Sequence, residues 1–261
     1  MARESDVVAA MQWVYDNKDK YNIRVVNLSI NSGDEISYHE SALDAACEVL
    51  WFNEVVVIGS AGNKGPKDGP NTVNSAPAND PFIITVGASD EMGTGDRSDD
   101  VHAPFSASGK TEAGFAKPEI AAPGTSIYST LSSTSSWASS YPERTQFGKA
   151  YFRLSGTSMS APVVAGVVAL LLEDEPHLTP DQVKYRLLAT ATKYDGPEPY
   201  LDAYAAINGT TKQSANTGVV ASKLLWTGED PVMWDSVMWR SVMWNSVMWR
   251  SVMWNSVDWS N

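Results

Sequence analysis

The chain has 261 residues, 43% of them hydrophobic and 19% charged, enough to bury one large core or two small ones. Its 31 acidic and 19 basic side chains give a formal charge of −12, which disfavours nucleic acid and anionic membrane as partners. A single cysteine, Cys47, excludes an internal disulfide or a cysteine-based zinc cluster, and no run reaches the roughly 20 apolar residues of a bilayer span.

The first six residues, Met1-Ala-Arg-Glu-Ser-Asp6, put charge first with no apolar run behind it, so no signal peptide is predicted. Ser5 to Asp19 is predicted as an amphipathic helix with Val8, Met11 and Tyr15 on one side and Ser5 as its cap. Ile23 to Ile30 is apolar and β-branched, as a buried strand would be. Helical spacing returns from His39 to Phe52 through Leu43, Ala46, Cys47 and Leu50. Glu54 to Gly59 and Phe82 to Val86 are short apolar runs without alternation, which suits parallel strands covered on both faces. Ser132 to Ser140 is polar and reads as a surface loop. Ala161 to Leu172 is predicted as a buried helix, and Pro180 to Thr190 as a smaller amphipathic one with Thr179 as its cap. Strand and helix patterns alternate, so the expected class is α/β with a doubly wound parallel sheet.

Asn208 to Asn216 is rich in Ser, Thr, Gly and Asn and reads as a domain boundary. The expected division is a body over 1–207, a linker over 208–230 and a repeat tail over 231–261. In the tail the pentad Ser-Val-Met-Trp-X places Trp at 234, 239, 244, 249, 254 and 259. Five residues form no stripe on a helix and alternate faces on a strand, so a regular structure needs a bend in each repeat. Two readings stand: a low-complexity extension, or an adhesion module that uses Trp rings as stacking platforms.

Two segments can carry chemistry. Leu154 to Pro162 (LSGTSMSAP) is a small-residue turn feeding an apolar helix, with Ser158 at its centre. A helix N-terminus offers backbone N–H groups and a positive dipole end beside such a hydroxyl, as a serine nucleophile requires. On spacing alone a plain Ser/Thr helix cap is the favoured reading. Ser60-Ala61-Gly62-Asn63 follows the second predicted strand, where open α/β sheets bind ligands. Asn63 there can donate to a developing oxyanion or simply make the turn.

Taken together, the segments VVNLSINSG, VVVIGSAGNKG, PFIITVGASD, FSASG, AKPEIAAPGTSIYST and SGTSMSAPVVAGVVALLL occur in an order that resembles subtilisin-like serine peptidases, the subtilases. The resemblance covers roughly residues 4 to 207. It implies a three-layer fold, a polypeptide substrate and a secreted location. It assigns Ser158 as nucleophile, and Asn63 with the Ser158 N–H as oxyanion donors. It makes Ser29-Ile30-Asn31 the strand that pairs with substrate, and Ser60-Ala61-Gly62 one wall of the pocket before the scissile bond. Asn31 and Ser32 depart from the glycines usual in that strand, and side chains there narrow the pockets.

A serine hydroxyl needs a base with an orienting partner, which the family takes from an Asp motif and a His-Gly-Thr-type motif upstream. Neither appears. His39, His102 and His177 lie outside the His context and read as ordinary surface histidines; Asp34 and Asp44 do not follow a strand as required. The expectation is therefore a catalytic domain truncated on its N-terminal side, inactive alone and partnered by the missing N-terminal part. The alternative is a non-catalytic peptide- or surface-binding protein with a Trp-rich adhesion tail. Subtilases commonly bind calcium, and Ala78, Asp80 and Glu119 fall near one of the family's weaker cation sites. No metal ligand is assigned.

Overall fold

The computed structural model describes residues 3–65 and 72–225. In chain order the first half gives α1 (Glu4–Tyr21), β1 (Val25–Leu28), α2 (Ala42–Phe52), β2 (Val56–Ser60), β3 (Ile84–Asp90), β4 (Val101–His102), β5 (Gly109–Lys110) and β6 (Ala116–Lys117). The second half gives β7 (Ile120–Pro123), β8 (Ile127–Thr130), α3 (Trp137–Ser140), β9 (Thr145–Gln146), β10 (Tyr151–Leu154), α4 (Thr157–Asp174), α5 (Pro180–Thr190) and α6 (Ala203–Asn208).

The central sheet runs β1-β2-β3-β7, all parallel, with Val25 opposite Val56, Ile58 opposite Ile84 and Val86 opposite Ile120. β4 joins the far end of β3 antiparallel. α4 packs against all four parallel strands, while α2 lies on β2 and α1 on α2. β2 touches helices from both sets and is buried at every position, as a strand covered on two faces must be. Val56, Val57, Ile58, Ile84, Val86, Ile120, Val164, Val168 and Leu171 form the middle of the core.

Several sequence expectations need correction. β1 is shorter than Ile23–Ile30 and half-exposed rather than buried. Among the described residues it pairs with β2 alone, so it is an edge of the sheet. α1 starts at Glu4, so Ser5 lies inside it, and the Arg3 N–H donates to the Asp6 carboxylate at 3.4 Å. α2 starts at Ala42, capped by Ser41, whose hydroxyl accepts the Asp44 N–H; His39 lies in the turn before it. α4 begins four residues before Ala161 and buries one side only, leaving Leu170 52% exposed. By length and composition α4 passes as a membrane span, but it lies along the sheet. The Thr179 cap is present with a full capping box: its hydroxyl accepts the Gln182 N–H, and Gln182 reaches back to the Thr179 N–H.

The polar stretch Ser132 to Ser140 is not a plain loop. It carries α3 and lies in the connection from β8 to β9 of a small antiparallel sheet, β8-β10-β9, in which Tyr151 faces Thr130 and Gln146. The stretch from 208 to 225, expected as linker, is laid onto the body. The Ser222 N–H donates to both oxygens of the buried Glu48 at 3.0 and 2.7 Å, and Tyr38 donates to the Val220 carbonyl. Arg186 is fully buried and donates to the carbonyls of Gly209 and Thr211. Polarity in the sequence hid these contacts because they are made by backbone groups. The pentad tail lies outside the described residues.

His102 is not a free surface histidine. Its Nδ1 lies 3.0 Å from Glu198 Oε1, which also accepts from Tyr194 at 2.7 Å, and its Nε2 lies 3.2 Å from the Ser106 carbonyl. The hydrogen bond to Glu198 raises the His102 pKa against the opposing effect of burial. A raised folded-state value means this pair contributes full stability below the unfolded pKa of about 6.5 and loses it as pH rises through the folded value. His102→Gln should therefore narrow its stability deficit relative to wild type as pH climbs from 6 upward, read as urea midpoints across pH; a constant deficit would refute the ion pair.

Candidate active site

Parallel strands deliver their carboxyl ends to one edge of the sheet, and the loops after β1 and β2 meet the first turn of α4 there. Gly156 precedes that turn with φ +156°, a conformation that L side chains rarely adopt. Its N–H donates to the Gly124 carbonyl at 2.9 Å, which fixes where α4 begins. A Cβ on Gly156 would stand 3.3 Å from Asn63 Nδ2, so the glycine leaves room for the amide.

Thr157 then holds Asn63. The Thr157 N–H and hydroxyl both donate to Asn63 Oδ1, at 2.9 and 3.1 Å, while the same hydroxyl oxygen accepts the Gly62 N–H at 3.1 Å. With its carbonyl oxygen engaged twice, the Asn63 amide has its NH₂ turned toward Gly156, and that group makes no hydrogen bond among the described residues. Ser158 follows in the first turn and is half-buried. Its hydroxyl donates to the Ser29 carbonyl at 3.3 Å, and the Ser29 hydroxyl returns a bond to the Ser158 carbonyl at 2.9 Å. β1 and α4 are thus tied at the point where Ser158 surfaces.

Asn31 leans across to the opposite wall: its Nδ2 donates to the Ser60 carbonyl at 2.9 Å, and the Ser60 hydroxyl donates to its Oδ1 at 3.3 Å. Asn31, Ala61, Gly62 and Asn63 line a cleft of about 320 Å³ together with Glu35 and Lys64. Ile30 is 40% exposed beside it, and Ala61 is buried with its N–H donating to the Val86 carbonyl. All eight residues singled out in the sequence lie at this end of the sheet. Thr157 and Gly156 were missed, although the SGTS string contains both; only the geometry gives them a task.

The three histidines are engaged elsewhere. His39 stacks on Tyr38 with ring centroids 4.0 Å apart, and its carbonyl accepts the Lys223 N–H. His102 belongs to the Glu198 pair. His177 lies beyond the C-terminal end of the 18-residue α4, about 25 Å or more from Ser158 by the rise of the helix. Asp34 is exposed on a loop and Asp44 is fully buried in α2.

The residues near the family's weak cation site do not fit a metal ion. Lys117 Nζ donates to Glu119 Oε1 at 2.6 Å, to Thr85 Oγ1 at 3.0 Å and to the Asp80 carbonyl. Lys184 Nζ donates to Glu119 Oε1 at 2.8 Å and to the carbonyls of Pro81, Phe82 and Ile83. The Ala78 carbonyl accepts from Thr85. Burial would raise Glu119, but the two ammonium charges hold it below the usual carboxylate range. Two side-chain ammonium groups stand where a cation would.

A parallel α/β sheet with a serine in the first turn of a helix, next to the threonine that holds a side-chain amide, defines the class. The family follows from comparison: the model of the subtilase family matches residues 2–218, and the chain belongs to that family. It is 36% identical over 211 residues to serine protease AprX of Bacillus subtilis (strain 168), covering 78% of this chain and 46% of that protein. It is 34% identical to subtilisin DY of Bacillus licheniformis, covering 72% of this chain and 55% of the relative. The chain thus spans about half the length of these curated relatives. Among solved structures, fervidolysin from Fervidobacterium pennivorans, a keratinolytic enzyme related to subtilisin, matches with a TM-score of 0.59 at 27% identity, covering 79% of this chain and 29% of that one.

Gly156→Ala should lower unfolding stability by about 1–3 kcal/mol in urea titration, through backbone strain. It should also shift the Asn63 side-chain amide resonances, as the new Cβ crowds Nδ2. An unperturbed amide spectrum would contradict the placement.

Proposed function

We propose that this chain carries the nucleophile half of a serine endopeptidase, with Ser158 forming the acyl-enzyme. The observation that supports this reading is the double engagement of Asn63 Oδ1 by Thr157, the residue before Ser158, which leaves the amide NH₂ as the group available to donate. In this mechanism a polypeptide lies extended along Ser29-Ile30-Asn31, and the side chain before the scissile bond enters the cleft walled by Ser60-Ala61-Gly62. Ser158 Oγ leaves the Ser29 carbonyl and attacks the scissile carbonyl carbon. Asn63 Nδ2–H and the Ser158 N–H hold the resulting oxyanion, the latter helped by the positive end of α4. The peptide nitrogen then departs with a proton and water hydrolyses the ester.

The proton acceptor for Ser158 is the part this chain does not provide, since each of its histidines is engaged or distant. We assign it to a separate segment bearing the family's Asp and His motifs, docked as further strands on the free edge of β1. The partly exposed Val25, Val26 and Leu28 make that edge apolar enough to receive them. The body that completes in this way would be an extracellular peptidase, as in secreted members of the family.

The test adds the Asp/His segment to the full chain, fused or in trans. Hydrolysis of a casein-type substrate and fluorophosphonate labelling should both appear, and both should be lost in Ser158→Ala. In subtilisin itself, removal of the serine or histidine costs about 10⁶-fold in turnover. Asn63→Leu should reduce turnover in the completed protein by about 10²–10³-fold, the range found for subtilisin's own oxyanion amide. Peptide binding without any turnover in the completed protein would instead favour the peptide- or surface-binding reading with the Trp-rich tail as adhesion element.

A further inference from the structure

The turn that follows β4 braces the loop carrying Asn63 on both sides. One residue before Asn63, the Gly62 carbonyl accepts the Ala107 N–H at 3.0 Å. Two residues after it, Gly65 lies so close to the turn that a Cβ there would stand 2.2 Å from the Pro104 carbonyl oxygen. The base of the turn is tied to β3, with the Ala103 N–H donating to the Ala88 carbonyl and the Ala88 N–H to the Ser106 hydroxyl, both at 3.0 Å. The end of the turn nearest Ala107 is the Ser106 carbonyl, and His102 Nε2 lies 3.2 Å from it.

Two planar peptide groups therefore connect His102 to Asn63. The Ser106 carbonyl and the Ala107 N–H are the two ends of one peptide unit, and the Gly62 carbonyl that accepts that N–H belongs to the unit whose N–H is Asn63's own. A donor on the first carbonyl polarises its unit and strengthens the bond made by its N–H. The other ring nitrogen, Nδ1, lies 3.0 Å from Oε1 of the buried Glu198. The Tyr194 hydroxyl is 3.4 Å from Nδ1 and spends its proton on the same Glu198 oxygen at 2.7 Å. Both ring nitrogens thus face acceptors, and an imidazole satisfies two acceptors only when it carries both protons. A neutral ring gives up either Glu198 or the Ser106 carbonyl.

We propose that His102, as an imidazolium, is a positioning residue for the oxyanion loop, holding the Gly62–Asn63 peptide through the 106–107 peptide and releasing it on deprotonation. The role rests on the reading of Asn63 as an oxyanion donor; the coupling itself needs only this chain. The groups facing the ring favour its charged form. From the segment after α5 come Glu198, whose hydrogen bond raises the His102 pKa against burial, and Tyr194, kept protonated by burial and the Glu198 charge. The Asp195 carbonyl on that segment accepts the His102 N–H at 2.9 Å, and β3 presents Ser89 as the pairing partner of His102. The latch is closed below the folded-state pKa, which lies above about 6.5, and opens as pH rises through it. A peptidase completed around Ser158 uses a base that must be neutral. His102 therefore adds an alkaline limit to a reaction whose acid limit that base sets.

The experiment is NMR on the isotope-labelled full chain. Amide exchange at Ala107 and Gly62 is compared with that in His102→Gln at the same pH, which cancels the intrinsic pH dependence of exchange. At about pH 5 wild type should exchange roughly 10- to 100-fold more slowly, the worth of one charge-assisted hydrogen bond, and at about pH 9 the ratio should approach one. The Asn63 side-chain amide resonances should titrate with the midpoint of the His102 ring. Glu198→Gln keeps a polar group in place and removes the charge, so it should lower both midpoints together; it carries the test if His102→Gln fails to fold. An exchange ratio constant with pH would mean that His102 serves only the fold, and it overturns the proposal. So do Asn63 resonances that ignore the titration of the ring. In the chain completed with the Asp/His segment, kcat should fall on the alkaline side at the same midpoint in wild type and not in His102→Gln. Turnover without that limb overturns the positioning role, whereas no turnover at all strikes the reading of Ser158 and Asn63 and leaves the coupling to be decided by exchange.

Discussion

The bond pair from Thr157 to Asn63 Oδ1 organises the end of the sheet that this molecule is built around. It fastens the loop after β2 to the first turn of α4, and α4 in turn lies across every parallel strand. An amide side chain on an exposed loop has two ends of opposite character, and nothing in the loop itself decides which faces Thr157. Two donors on one oxygen decide it. The reciprocal Ser29–Ser158 bonds do the same for β1, so the walls of the cleft are fixed by hydrogen bonds across elements distant in sequence. Their partners lie 94 and 129 residues apart along the chain, so the site exists only once the sheet is assembled.

Much of this was legible in the sequence. The unbroken apolar runs identified β2 and β3 because a doubly covered strand has no polar face to show. The Thr179-Pro180 start of α5 was readable because capping is local chemistry. Ser158 and Asn63 were identified as candidates from their placement after a turn and a strand, and the order of six segments turned placement into a family resemblance. What escaped was non-local. Nothing about Arg186 announces that the backbone of residues 209 and 211 will surround it. Nor does a Ser/Thr-rich stretch reveal that its carbonyls and N–H groups will pack on α2 and α5. The edge status of β1 was equally invisible, since a strand's own residues do not say how many neighbours it has.

The division of charge in the interior follows one rule at Glu119, Glu48 and Glu198. Each buried acid is placed by what it faces. Glu119 faces two ammonium groups, Glu48 faces a backbone N–H, and Glu198 faces His102 and a tyrosine hydroxyl. Burying charge is tolerated only where such a partner is supplied, and breaking a buried pair costs far more than an exposed one. Against this pattern both carboxylate oxygens of Asp44 and Oδ2 of Asp80, which have no hydrogen-bond partner among the described residues, are the exception.

The lysine pair at Glu119 has a consequence for the surroundings in which this protein can remain folded. A diffusible ion is lost whenever its concentration falls below its dissociation constant, so a metal-held loop takes its rigidity from the medium. Lys117 and Lys184 are tethered to β6 and α5, and a tethered ligand keeps its effective concentration at any dilution. The carbonyls of Asp80 to Ile83 are therefore anchored by counter-charges encoded in the chain, indifferent to chelators and hard water alike.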